Sequence, residues 1–335
     1  MSSTETSTIV KTRFSVKKIF FNMLKRSDTS VVMATMVLFA IFAFSSDSFL
    51  SSYNIFNVSR TVALYFFVAI GQAFVLVIGG MNLSLGSIGG LAVITAGYGM
   101  DTMGWSPWIV VPMALLVGIA AGYVNGIIIV KLKLNSFVVT LATSFIFAGL
   151  VNGISKGYAY VKIPASFKFI GTEGLFGLPF LFWIMLLTLV VLGYMFKYTV
   201  IGRRILATGG NEVAARMSGI KTSKIIVIAN VLSGFSAALA GVLWVSRLGS
   251  APPATGSDWM IISFAVSVIG GTALAGGEIT VIGLLASSIM IALIKNGLIM
   301  MNVNVYFEQT FLGIIILLAV MVESFRLKYN SAKRI

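Results

Sequence analysis

The sequence predicts an all-α integral membrane protein of about ten transmembrane helices, and three observations carry that expectation. Mean hydropathy is +1.00. Of the 335 residues 58% are hydrophobic and 10% charged, whereas a water-facing fold draws on about 25% charged residues. Apolar runs near twenty residues recur along most of the chain, and each matches the roughly 20 residues that a helix needs to cross about 30 Å of hydrocarbon. Lipid offers no partner to unpaired backbone groups, so helices must dominate.

The elements follow in order. Residues 1–28 are polar and basic, with neither an apolar signal core nor a small-residue cleavage site, and are expected to stay in the cytoplasm. Within them Val16, Ile19, Phe20, Met23 and Leu24 recur at helical spacing opposite Lys17, Lys18, Lys25 and Arg26. That is the pattern of an amphipathic helix lying on an anionic leaflet, with a disordered basic tail as the alternative. A transmembrane domain over 29–325 then carries spans near 30–47, 59–78, 84–100, 107–130, 136–154, 178–197, 225–245, 260–275, 280–300 and 307–324. A cytoplasmic loop over 198–224 interrupts it and a cytoplasmic tail over 326–335 ends the chain.

With the amino terminus inside, eighteen of the 24 Lys and Arg fall on the cytoplasmic side; the other six are Arg60, Lys156, Lys162, Lys168, Arg247 and Lys295. This satisfies the positive-inside rule and places both termini of a multi-pass membrane protein in the cytoplasm. The segment SKGYAYVKIPASFKFIGTEGLFGL over 155–178 reads as a short external helix or cap, or a plain connector, and SRLGSAPPATGSDW over 246–259 as an external turn.

Composition excludes several classes. With no cysteine and no histidine, disulfides, thiolate metal sites and the commonest metal ligand are absent, and no metal is expected. The net charge of +14 is explained beside apolar spans by orientation in the bilayer, so no nucleic-acid partner is expected. All ten acids, Glu5, Asp28, Asp47, Asp101, Glu173, Glu212, Asp258, Glu278, Glu308 and Glu323, fall in tails, loops or helix ends, which argues against proton coupling. A cation-coupled carrier using carbonyls and hydroxyls stays open, as does a passive channel. No GxxxxGK[ST] phosphate loop occurs, so the chain is not itself an ATPase.

The stretch GGNEVAARMSGIKTSK, Gly209 to Lys224, places charge in the middle of this apolar chain. Asn211 suits an N-cap, Glu212 suits the first turn of a helix, Ala214 and Ala215 are small helix formers, Arg216 follows them and Gly219 supplies a stop. A small-residue helix bounded by glycines offers another protein a close approach.

The run Ala214-Ala215-x-x-x-Gly219, preceded by Glu212, resembles the Glu-Ala-Ala-x-x-x-Gly coupling loop of ABC importer permeases, and ATGGNEVAARMSGI resembles the ribose-type sugar permeases. Three further segments are similar to signatures of that branch, in its order: GGMNLSLGS from Gly79 to Ser87, NSFVVTLAT from Asn135 to Thr143, and IGGTALAGG from Ile269 to Gly277. Asn82 stands where the family usually has Asp, and WMIIS from Trp259 to Ser263 where it commonly has acids. The resemblance implies a bundle like that of the vitamin B12 importer. It also implies a permease dimer and an ATPase subunit docked on Asn211, Glu212, Ala214, Ala215, Arg216 and Gly219. ATP and magnesium would be held by that partner and no cofactor by this chain. An extracytoplasmic sugar-binding protein would deliver a ribose, another pentose or hexose, a polyol or a furanosyl signalling molecule.

A hydroxylated solute needs amides and hydroxyls that exchange hydrogen bonds with it. The candidates on the spans are Gln72, Asn82, Ser84, Asn125, Thr140, Thr143, Asn152, Asn230 and Asn296, residue types that equally serve as glue between helices. Gly79, Gly80, Gly86, Gly270, Gly271, Gly276 and Gly277 read as helix breaks or close packing positions, with a gate as the functional alternative.

Overall fold

The computed structural model of the protein describes residues 27–46 and 48–301 and a few single positions between 307 and 321. The amino-terminal amphipathic helix, Glu5, Asp47, Glu308, Glu323 and the basic tail lie outside the described residues, as does nearly all of the span at 307–324. Among the described residues the regular elements are helices, apart from a β-hairpin of two two-residue strands. In order it forms α1 (Ser27–Ser45), α2 (Ser52–Leu76), α3 (Leu85–Asp101), α4 (Pro107–Leu132), α5 (Ser136–Ser155), α6 (Ala165–Thr172), β1 (Gly174–Leu175), β2 (Leu178–Pro179), α7 (Phe180–Tyr198), α8 (Val200–Gly210), α9 (Glu212–Met217), α10 (Thr222–Leu248), α11 (Trp259–Ile269) and α12 (Val281–Met300). Six of these, α2, α4, α5, α7, α10 and α12, are long and apolar enough to cross a bilayer.

Local chemistry sets the helix starts. The Ser51 hydroxyl accepts from Asn54 N, the Asn135 side chain from Phe137 N at 2.8 Å and the Thr199 hydroxyl from Gly202 N at 3.2 Å, and Pro107 opens α4. Each device supplies or removes a helix-terminal donor that would otherwise lack a partner.

Three helix ends share one stop. Gly79 N donates to Leu76 O and Gly80 N to Val75 O after α2; Gly219 N to Arg216 O and Ile220 N to Ala215 O after α9; Gly271 N to Val268 O and Thr272 N to Ser267 O after α11. In each the first glycine has a positive φ, +76° at Gly79, +81° at Gly219 and +83° at Gly271. This double bond pattern closes a helix only around a left-handed residue, which glycine adopts without steric cost.

The third stop corrects the span expected at 260–275. Helix α11 ends at Ile269, and Gly270 to Thr280 is not helical, because the apolar run continues in composition while its glycines turn the backbone. At 11 residues α11 extends about 16 Å, half of a bilayer. The segment before it, Ala251 to Asp258, runs inward along α3: an added Cβ on Gly97 would meet Ala251 Cβ and one on Gly90 would come 2.9 Å from Thr255 O, while one on Gly86 would overlap Gly256 O. The segment from Gly80 to Ser84 is also non-helical and rises along α5. Two interrupted spans therefore lie side by side.

Helix α2 forms the centre of the bundle, buried on every face from Val62 to Leu76. The closest helix pair is α4 with α10. Cβ atoms added to Gly118 and Gly126 would stand 2.5 Å from Gly234 O and 2.8 Å from Val227 Cα, and one on Gly122 would overlap Asn230 O. A small residue at every fourth position lets the two backbones touch, which is how helices associate where no hydrophobic effect separates protein from lipid. At the end opposite α9, α6 caps α2 and α10. Ser246 Oγ donates to Phe167 O at 2.6 Å, Arg60 Nη1 to Gly171 O at 3.2 Å, and Tyr160 and Ala251 pair through both backbone bonds.

Candidate functional site

The break between α2 and α3 is held by a buried polar cluster. Asn82 Oδ1 accepts from Ser84 N at 3.0 Å and Ser84 Oγ at 2.7 Å; Asn82 Nδ2 donates to Ser233 Oγ, and Asn125 Nδ2 to Ser84 Oγ, both at 2.8 Å. The Thr140 hydroxyl donates to Met81 O at 3.0 Å and accepts from Leu83 N at 3.1 Å, while Ser136 Oγ accepts from Met81 N. An interrupted helix frees backbone groups that lipid cannot satisfy, and these side chains supply the partners. Thr143 Oγ1 reaches Thr140 O at 3.3 Å, and Asn230 Nδ2 donates to Ile226 O at 2.9 Å. Asn296 exchanges two bonds with Asn54 across α12 and α2, at 2.7 and 3.2 Å. Of the amides singled out from the sequence on the spans, Gln72, Asn125 and Asn230 are buried with Oε1, Oδ1 and Oδ1, respectively, unpartnered within the protein.

The space lies on the other side of this cluster. An open cavity of about 540 Å³ is bordered by the starts of the two interrupted spans (Leu83, Gly86, Ser87, Gly90; Pro253 to Ser257, Met260) and by the α5 face of Ser144, Phe145, Ala148, Val151 and Asn152. Leu83 and Met260 also line a smaller cavity of about 200 Å³ with Gln72, Met81, Ile261 and Phe264. Hydroxyls at Ser87, Ser144, Thr255 and Ser257, the Asn152 amide and the Phe145 ring, 73% exposed, face or border the larger space, and Thr255 Oγ1 has no partner within the protein. Such a lining can exchange hydrogen bonds with a polyhydroxylated molecule and cover its CH face with an aromatic ring. Sequence reasoning found Gln72, Gly86 and Asn152 at these cavities and missed Ser87, Ser144, Phe145, Thr255 and Ser257, which three separate segments contribute. Nearby, burial, with Tyr98 and Asp101 alongside, holds the Tyr160 phenol above its usual range.

At the other end α9 stands exposed. Asn211 Oδ1 accepts from Ala214 N at 2.9 Å. Glu212 Oε1 takes Arg216 Nη2 at 2.8 Å and the Thr222 hydroxyl at 3.1 Å, tying α9 to the start of α10. Ala215 turns inward, Ala214 outward, and Val213 and Met217, one turn apart, are 69% and 85% exposed. This apolar pair was not among the residues expected to dock a partner, although its i, i+4 spacing was visible.

The α8–α9 boundary is not a free loop. Gly277 N donates to Val77 O at 2.8 Å. A Cβ on Gly209 would overlap Val77 O and lie 2.7 Å from Gly277 N, one on Gly277 would lie 2.7 Å from Gly210 Cα, and one on Gly276 would lie 2.8 Å from both Gly209 O and Gly79 N. Both glycine-rich breaks and the root of α9 thus meet backbone against backbone. Gly80 sits beside Ser136 Oγ, and Gly270 is pressed against Gly283 at the α11–α12 turn.

Residues 54–320 match the family described as branched-chain amino acid transport system / permease component. The chain is 34% identical over 297 residues to a ribose import permease protein of Haemophilus influenzae and 33% identical over 301 residues to that of Escherichia coli, each alignment covering 88% of this chain and 92% of the relative. It is 30% identical over 307 residues to an L-arabinose ABC transporter permease protein of Azospirillum brasilense, covering 92% of this chain and 90% of the relative. The chain belongs to the ribose-type permeases of ABC transporters. No solved structure matches it. In this permease the helices found here are therefore those of a multi-pass inner-membrane protein, and the four segments singled out by motif are the breaks, the helix beside them and the exposed α9.

Proposed function

We propose that this permease is the membrane subunit of an ATP-driven importer that carries a sugar or sugar-like solute into the cytoplasm. The span at 307–324 completes a ten-helix frame of the vitamin B12 importer type, with the domain limits 1–28, 29–325 and 326–335 and both termini inside. The charge distribution of the loops supports that orientation. A separate ATPase, holding ATP and magnesium, docks on Asn211, Glu212, Ala214, Ala215, Arg216 and Gly219 and on the exposed Val213 and Met217. The chain itself performs no hydrolysis and holds no cofactor. A sugar-binding protein delivers solute at the α6 end of a permease dimer. The relatives named for ribose and L-arabinose support a monosaccharide, and the hydroxyl-lined cavity suits one.

The observation that carries this reading is the backbone junction of Gly209, Gly210, Gly276, Gly277 and Val77, which leaves no slack between α9 and the interrupted spans that bound the cavity. Movement forced on α9 by closing ATPase subunits must pass to those spans, opening one side while the other shuts. Proteoliposomes containing the permease and its ATPase, with ion gradients collapsed, test it. Uptake that requires binding protein and ATP is expected, and Gly219→Glu should abolish both uptake and ATPase association. Uphill uptake by the solitary permease on an ion gradient would instead establish a cation-coupled carrier, and downhill flux alone a channel.

A further inference from the structure

Beside the docking helix and away from the pathway, the α4–α10 pair carries a second concave surface. Along about 10 Å of both helices an apolar groove of about 560 Å³ runs between Tyr123 and Ile127 on α4 and Val231 and Leu232 on α10, ending at Lys131 and Lys224. It opens there into a larger hollow of about 970 Å³ bordered by Lys133, Lys221 and Ser223 and, on its far side, by Glu212, Arg216 and Gly219 of the docking helix and its stop. The groove exists because the glycine stripe of α4 draws the backbones together and leaves the flanking side chains splayed outward. Among the described residues no carboxylate lies within ion-pair distance of these four lysines; Glu212, which borders the hollow, is engaged by Arg216 and Thr222. The 27-residue α10 begins here with no acidic residue in its first turn and no side-chain cap, so its amino-terminal N–H groups and dipole add to the positive field.

We propose that this groove binds an anionic phospholipid, its phosphate held by Lys131, Lys224 and the start of α10, and one acyl chain lying between Ile127 and Val231. An apolar trough closed by unpaired cations at the membrane surface matches a molecule that is apolar along its length and anionic at one end. The chain's own termini are unsuited to cover it, since residues 1–26 hold six Lys and Arg against one Glu, and the four charged residues of 326–335 are all basic. A second copy is unsuited as well, because a two-fold contact centred there would set the lysines of one protomer against those of its partner. The inference rests on the cytoplasmic placement of the α9 end proposed above.

Full-length permease is titrated in detergent with phosphatidylglycerol or phosphatidylcholine and the retained lipid counted by native mass spectrometry. Phosphatidylglycerol is expected to bind preferentially, and Lys131→Ala with Lys224→Ala should weaken it about tenfold or more. Val231→Trp, which fills the trough and leaves the lysines in place, should do the same, whereas Lys197→Ala with Arg203→Ala should not. Three results would overturn the proposal: wild-type phosphatidylglycerol retention in both groove variants, displacement by glycerol 3-phosphate as effective as by the whole lipid, or disulfide cross-linking between copies through Val231→Cys. The chain has no cysteine, so labelling Lys221→Cys from one side of sealed vesicles checks the orientation separately. Labelling from outside would remove the proposed topology, while the lipid count reads the groove alone.

Discussion

Replacing Gly209 by Ala tests whether the junction beneath α9 transmits motion. The added Cβ would stand 2.7 Å from Gly277 N and overlap the Val77 carbonyl oxygen. Ordinary contact with such atoms lies near 3.4 Å, so the first clash alone needs a shift of about 0.7 Å and the second needs more. The obstructing atoms are backbone, at the end of α2 and in the packed break after α11, and cannot rotate away, which puts the cost at about 1–3 kcal/mol. Its neighbour supplies the control: a Cβ on Gly210 would meet only Gly277 Cα, at 4.0 Å, an ordinary contact. In proteoliposomes with the ATPase and the binding protein, Gly209→Ala is expected to keep the ATPase bound but to lose about tenfold or more of uptake and of solute-stimulated hydrolysis, a factor equivalent to about 1.4 kcal/mol. Gly210→Ala should match the parent chain, and thermal unfolding of both variants separates lost coupling from lost folding. Equal uptake in the two variants would refute the reasoning, since one position has room for a methyl group and the other has none.

Further expectations concern single side chains. Asn211→Ala removes the bond from Ala214 N and should weaken ATPase association by about 1 kcal/mol, with Asn211→Asp close to parental; binding of the isolated ATPase to immobilised permease measures it. Asn82→Ala strips Ser84 N, Ser84 Oγ and Ser233 Oγ of their shared partner and should cost about 1–3 kcal/mol in thermal stability. Asn82→Asp keeps both acceptor bonds and can accept from Ser233, so it should unfold within a few degrees of the parent. Phe145→Ala at the 540 Å³ cavity should raise the KM for uptake several-fold at unchanged unfolding temperature, because the ring is exposed. Gly122→Leu, directed into Asn230 O, should prevent accumulation of folded protein in the membrane.

Much of the architecture was legible because the bilayer forces it. Long apolar segments appear as helices at the expected positions, and the caps of α9, Asn211 and Gly219, are where local chemistry requires them. Hydropathy could not find the end of α11: it registers that Thr272, Ala273 and Leu274 continue an apolar run, whereas the stop depends on the φ of Gly271. Nor could spacing distinguish an amide beside a pathway from one that repairs a break. Ser84, Asn125 and Thr140 are on the expected spans and Asn82 stands between two of them, and only the fold shows their bonds directed to one another and to the backbone between α2 and α3. The cavity lining was the hardest to foresee, since Ser144, Phe145, Thr255 and Ser257 belong to segments that meet only after folding.

The contact of Gly118, Gly122 and Gly126 with α10 limits how the molecule can change shape. Two backbones in direct touch over three turns have no side-chain cushion to absorb sliding, so α4 and α10 behave as one girder. Whatever rocking admits and releases cargo must be taken up by the members packed around that beam, α5 among them. A disulfide staple clamping α5 to α3 should therefore freeze turnover, whereas one joining α4 to α10 should leave it unchanged.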